Sequence, residues 1–215
     1  METIEQKETI EPREHIEHRA QRAPSENRER RMYSEQRAPR ARSDVKLKSP
    51  KAQRVGVFVD VQNMFYSARF MYSAKANFKT ILEAAVKGRT LIRAIAYVVK
   101  TEDITREAFY DALTNIGYEV KGKDLQIFAG GAKKGDWDVG IAMDAIELAP
   151  KLDTVVLVSG DGDFQPLAEH LKRAMGCRVE VVAFGRSASK LIKDACDDFT
   201  DLDGNPRKYL IKSTR

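Results

Sequence analysis

Four short stretches of this chain are apolar at nearly every position: VGVFVD at 55–60, LIRAIAYVV at 91–99, DTVVLVSG at 153–160 and RVEVVAFG at 178–185. A strand with one wet face alternates apolar and polar residues, so a run without a polar face reads as a strand buried on both sides. Helix-length segments separate these runs. They are expected over 63–72, 78–86, 104–117, 138–149, 164–176 and about 187–195, with Gly117 a natural C-terminal stop. YEVKGKDLQIFAG (118–130) supplies a further strand or hairpin, and FTDL (199–202) a short edge strand. Buried strands alternating with helices call for an α/β fold: a Rossmann-like sandwich in three layers, whose mostly parallel sheet carries helices on both faces. In such sheets ligands bind beyond the carboxyl ends of the strands, where strand order reverses.

The apolar texture begins only near residue 53. Residues 1–52 are rich in Glu, Arg, Gln, Ser and Pro with few large aliphatics, and cannot bury enough surface to offset the entropy of ordering. They read as a disordered tail, residues 53–203 as one folded domain, and 204–215 as a short C-terminal tail. No apolar run approaches a membrane span and the first residues lack an apolar signal core, so a cytoplasmic protein is expected. Cys177 and Cys196 have neither CxxC spacing nor His partners, which excludes a zinc site and argues for two reduced thiols. The net charge of +5 favours an anionic partner. Within residues 1–50 twelve Lys or Arg meet ten Asp or Glu, the acids mostly early and the arginines late, so 28–48 form a basic arm suited to phosphates.

Asp60 closes the first apolar run, and Asp161 and Asp163 follow the third in SGDGDF, which puts all three at one edge of the sheet. Asp138 follows the Gly-rich loop GGAKKGDW and joins them if its helix makes a right-handed crossover. Asp138 and Asp163 each stand where a helix N-cap belongs, so capping alone would account for either. Asp60 and Asp161 are harder to explain structurally, because a carboxylate at the end of a buried strand costs desolvation. Several carboxylates brought together repel one another unless protonated or neutralised by a cation, and such hard oxygen donors suit Mg²⁺ or Mn²⁺. A metal so held can activate water against a phosphodiester. His15 and His18 fall in the tail and His170 mid-helix, so no His-based site competes. GGAKKGD lacks Walker spacing, GVFVDVQN has no GxGxxG, and DGDF is too short for an EF-hand loop.

The phrases FVDVQNMFYSAR, KKGDWDVGIAMDA and LVSGDGDFQPLAEHLKRAMGCRVEVVAF together resemble the NYN domain, in its LabA-like branch, a relative of PIN nucleases. The resemblance spans about residues 55–202. It implies a PIN-like fold and a metal-dependent ribonuclease, with Asp60 and Asn63 matching a D-x-x-N phrase, Asp138 and Asp144 the K-G-x-D phrase and its second acid, and Asp161 and Asp163 the S-G-D-x-D-F phrase. Asp136 is an extra acid beside Asp138, and either can face the pocket. Asp144 lies about 240° around a helix from Asp138, so it either joins the metal ligands or supports a neighbouring residue. Asn63 is expected to bond a water or orient Asp60. Lys133 and Lys134, with Arg186 and Ser187 after the fourth run, are candidates to hold substrate phosphate, and Tyr66 or Trp137 to stack on bases.

Hydrolysis of single-stranded RNA by a carboxylate-held Mg²⁺ or Mn²⁺ is the first reading. The alternative is an RNA-binding or regulatory LabA-like protein with little turnover; a phosphatase or small-nucleotide hydrolase would use similar chemistry. RNA is the expected partner and no membrane is; a homodimer, and tail contacts to RNA or a protein, are further arrangements the sequence allows.

Overall fold

The computed structural model of the chain describes residues 50–100, 107–127 and 133–212. The expected tail, its basic arm, the start of the helix at 104–117 and part of the Gly-rich loop therefore lie outside the described residues, apart from one 3-10 turn at Pro50–Ala52. In chain order the elements are β1 (Arg54–Asp60), α1 (Val61–Tyr72), β2 (Ala74–Ala76), α2 (Phe78–Val86), β3 (Thr90–Lys100), α3 (Glu107–Ile116), β4 (Glu119–Asp124), β5 (Gln126–Ile127), β6 (Lys133–Lys134), α4 (Asp138–Leu148), β7 (Thr154–Val158), α5 (Gln165–Arg173), β8 (Arg178–Ala183), α6 (Lys190–Ala195), β9 (Asp198–Asp201), α7 (Pro206–Tyr209) and β10 (Leu210–Lys212). Helix α3 stops where expected: Gly117 follows it at φ 111°, a conformation that L side chains rarely adopt.

Six strands form one sheet in the order β4-β3-β1-β7-β8-β9, every pairing parallel. The chain winds outward from β1 through β3 to β4, then returns to place β7 on the other side of β1. Strand order therefore reverses between β1 and β7, where Val59 pairs with Val158. The loops beyond these two carboxyl ends are the ligand position of a doubly wound fold.

Alternation along β1 divides the core. Val55, Val57 and Val59 pack with Met64 and Ala68 of α1, Ile81 of α2 and Leu113 of α3. Phe58 points the other way, among Ile141 of α4, Leu171 of α5 and Ile192 of α6. Full burial of each such side chain stabilises the fold by roughly 1.5–3 kcal/mol.

A buried ion pair ties the sheet to the turn that precedes β3. Arg89 donates to both carboxylate oxygens of Glu180 in β8, at 2.8 and 2.9 Å, and only 8% of Arg89 and 4% of Glu180 is exposed. Lys87 and Arg178 reach the same carboxylate at 3.3 and 3.1 Å.

The C-terminal segment corrects one expectation. Rather than leaving the domain as a tail, residues 206–212 fold back: β10 pairs antiparallel with β2, Tyr209 is buried, its carbonyl accepts from Asn77 N at 2.8 Å, and the Lys208 carbonyl accepts from the Thr80 hydroxyl at 2.9 Å. Of the strand or hairpin expected at 118–130, the structure gives a strand, β4, in the main sheet, while β5 pairs antiparallel with β6, which lies beyond that stretch.

Candidate metal centre

β1 ends at Asp60 because the chain turns there into α1. Asp60 is extended (φ −77°, ψ 95°), and its Oδ1 accepts from Asn63 N at 3.0 Å, capping the helix. Asn63 in turn bridges the switch point, its Oδ1 accepting from Gly160 N at 3.0 Å. Beyond β7 the buried Ser159 places its hydroxyl 3.5 Å from Asp60 Oδ2 and accepts from Asp161 N at 3.2 Å. Asp161 Oδ1 accepts from Asp163 N at 3.0 Å and caps a 3-10 turn at Gly162–Phe164. Gly160 is required: a Cβ there would lie 2.9 Å from Ala188 Cα, so the loop after β8 could not seat against this one, where Ser189 N donates to the Gly160 carbonyl at 2.9 Å.

Asp138 is the first residue of α4, and the cap position before it belongs to Trp137, which makes no side-chain cap bond. Neither Asp138 nor Asp163 is a helix cap; Trp137 and Phe164 stand at the cap positions of α4 and α5, while Asp60 caps α1 and Asp161 the 3-10 turn. Freed from capping, Asp138 offers a carboxylate oxygen that lies within 4.8 Å of oxygens of both Asp161 and Asp163, and these also lie within 4.8 Å of each other. Asp136 is exposed and stands outside the trio, close enough for its charge to act on Asp138.

The electrostatics record the crowding. Burial pushes the Asp138 carboxyl up, and the charges of Asp136, Asp161 and Asp163 push it further. Asp60 lies beside the trio. Burial foremost, with Asp138 and Asp161 adding to it, raises its carboxyl to about 6 despite the bonds from Asn63 N and Ser159. Among the described residues none of these four carboxylates has a Lys or Arg ion-pair partner within 4.0 Å. Three hard oxygen donors converging with no ion-pair partner among the described residues, and only the more distant Lys123 drawing Asp138 toward ionisation, fit a divalent cation such as Mg²⁺, which keeps waters of its own and takes few protein ligands.

Asp144 does not join them. Its carboxylate accepts from the Tyr97 hydroxyl and from Lys121 Nζ, both at 2.6 Å. Burial works against its ionisation, but these bonds and the charges of Lys121 and Arg93 prevail and hold it below the usual range. Asp144 is thus an anchor for Tyr97 and Lys121, and its expected place among the metal ligands is corrected accordingly. Lys133 and Lys134 form β6, which leads toward α4. Arg186 is engaged elsewhere: its guanidinium stacks 4.9 Å from the Tyr72 ring and lies 3.5 Å from Asp203. The Ser187 hydroxyl lies 3.0 Å from Ser67 Oγ and 3.1 Å from the Phe184 carbonyl. Trp137 is fixed by its indole N–H to the Val98 carbonyl at 3.0 Å and by Lys123 over its ring at 4.8 Å, so it serves packing rather than base stacking. His170 is exposed on α5. The site residue that escaped sequence reading is Ser159, whose signal was its place directly after a buried strand and before the first acid of SGDGDF.

Among the described residues no helix is long and apolar enough to cross a membrane. The sequence model for the NYN domain matches residues 54–203. The chain is 28% identical over 177 residues to the low amplitude and bright protein LabA of Synechococcus elongatus, an alignment that covers 75% of this chain and 90% of that one. The crystal structure of a protein of unknown function from Vibrio parahaemolyticus superposes with a TM-score of 0.68 at 34% identity, covering 77% of this chain and all of the other. With the family's domain matching residues 54–203, most of its length, the chain belongs to the NYN domain family.

Proposed function

We propose that this protein is a metal-dependent ribonuclease that hydrolyses phosphodiester bonds of single-stranded RNA. The observation that carries the reading is the convergence of Asp138, Asp161 and Asp163, which have no ion-pair partner among the described residues, at the switch point of a doubly wound sheet. Asp138, Asp161 and Asp163 would attract a divalent ion, and with their charge so offset a negatively charged backbone could approach a rim that would otherwise repel it. Asp138, Asp161 and Asp163 would hold Mg²⁺ or Mn²⁺, with Asp60 beside them. When bound, the ion would activate water and stabilise the leaving oxygen of the phosphodiester.

The chain's own residues supply position. Asn63 spends its carbonyl on Gly160 N, which leaves its amide N–H groups to donate at the rim. Asp60 fixes the start of α1, and Ser159 sets the Asp161 backbone. The Ser187 hydroxyl and the backbone of β6 lie on segments adjoining the same rim, and the basic arm at 28–48 would track the RNA backbone. A single strand is favoured because a second strand would bring further uncompensated phosphates to a cluster of acids.

The test is cleavage of a labelled single-stranded RNA with Mg²⁺, with Mn²⁺ and with EDTA, beside an Asp161→Asn variant. Metal-dependent cleavage that falls at least ~100-fold in the variant supports the proposal, a loss typical of removing one electrostatic stabiliser. Wild-type protein that binds RNA but cleaves none with either metal points instead to a regulatory RNA-binding protein.

A further inference from the structure

Helix α1 leaves the acidic rim carrying two stacked aromatic rings on its outer side. Its core face is Val61, Met64 and Ala68. Asn63 and Ser67 face the loops beyond β7 and β8, through Gly160 N and Ser187 Oγ. Phe70 is 79% exposed, and the Tyr66 ring stacks on it with centroids 5.7 Å apart and planes 19° from parallel. Phe65 meets Tyr66 edge-on at 5.4 Å, and the Arg69 guanidinium is 5.9 Å from the Phe65 ring centre. Phe70 is seven residues beyond Asn63, which places it within roughly 20° of the same helical stripe and roughly 10 Å further along the axis.

A lone exposed phenyl group needs no explanation. This one is half of a stacked pair, on a helix whose sequence VQNMFYSARFMY holds no acid, in line with a site built for phosphate. Two rings offer at most about 500 Å², short of the about 800 Å² per partner that a stable protein interface buries. They match a nucleobase, which brings a flat π-face and a phosphate together. We infer that Tyr66 and Phe70 form a stacking step for a base of single-stranded RNA, one to two nucleotides from the phosphate held at the acidic rim. The inference rests on the ribonuclease reading and assigns that site its RNA path.

The test is binding of a labelled single-stranded RNA to the full chain, read by fluorescence anisotropy in EDTA and, in an Asp161→Asn background, in Mg²⁺; cleavage by the wild type is followed in parallel. Phe70→Ala should weaken binding ~10-fold, and Phe70→Trp, which restores a larger ring, should match or exceed the wild type. RNA that is bound or cleaved by the wild type with no change in Phe70→Ala overturns this inference and leaves the ribonuclease reading standing. Wild-type protein that neither binds nor cleaves RNA overturns both. A Phe70→Ala variant that binds RNA normally but loses a dimer in sedimentation overturns the inference in favour of a second copy of the chain.

Discussion

At Asp60, burial and the charges of Asp138 and Asp161 oppose ionisation, while the Asn63 amide and the Ser159 hydroxyl favour it, and the carboxyl ends at about 6 against an ordinary 3.8. A carboxyl raised in the folded state binds more protons there than in the unfolded chain between those two values. Its contribution is therefore full below about pH 4 and is lost as pH rises through about 6. The difference of about two pKa units corresponds to about 3 kcal/mol. Asp60→Asn keeps an oxygen for Asn63 N and removes the charge. In EDTA it should stabilise the protein against urea by up to about 3 kcal/mol at pH 7.5 and by almost nothing near pH 4, while RNA cleavage falls. An equal effect at both pH values would show that Asp60 is not the titrating group. The places of Asp60, Asp161 and Asp163 after buried strands, and of Asp138 at the start of a helix, were legible, whereas the roles of Asp60 and Asp161 as caps were not. Sequence preference puts a cap at Asp138, but Trp137 holds that position because its indole is anchored on the Val98 carbonyl, a tertiary contact no local pattern carries.

Among the elements, those whose pattern is local were legible: the buried strands, the helix over Phe78–Val86 and the stop at Gly117 follow from periodicity and backbone freedom. Helix α1 begins two residues earlier than expected because Asp60, read as the end of a strand, is also its cap. The ribbon of β2 with β10 was missed because each strand has three residues and its partner lies at the far end of the domain. The same limit applies to Arg89 and Glu180, two charges that look like surface residues until β8 and the turn before β3 bury them together. Burial alone would raise the Glu180 carboxyl, but Arg89, Lys87 and Arg178 hold it below its usual value. Stability from this pair is thus present above about pH 4.5 and lost as pH falls below it. Glu180→Ala strands the Arg89 guanidinium and should cost about 3–5 kcal/mol in urea denaturation at pH 7. Arg89→Met with Glu180→Leu should cost markedly less, since neither charge is then left alone. A double variant as unstable as Glu180→Ala would mean that packing, not the uncompensated charge, sets the loss.

For the molecule as a whole, the sheet order brings Asp60, Asp138 and the Asp161–Asp163 pair together from three separate parts of the sequence, so the repulsion among these three parts is a cost that only the folded state bears. A divalent ion that binds the native site relieves that repulsion and stabilises the fold by RT ln(1 + [L]/Kd), about 2.7 kcal/mol at a hundredfold excess over Kd. For a chain of this size each kcal/mol moves the midpoint by about 2–4 °C, so saturating Mg²⁺ or Mn²⁺ should raise Tm by roughly 5–10 °C. K⁺ at equal ionic strength screens without coordinating and should give a smaller rise. Asp138→Asn with Asp161→Asn should start from a higher Tm in EDTA, because the repulsion is gone, and should lose the response to Mg²⁺. The two effects have opposite signs and one origin, which separates a metal centre from acids that merely sit at a surface. Capping or solvated carboxylates would give the double variant a Tm no higher than the wild type's, and the same small salt response in both.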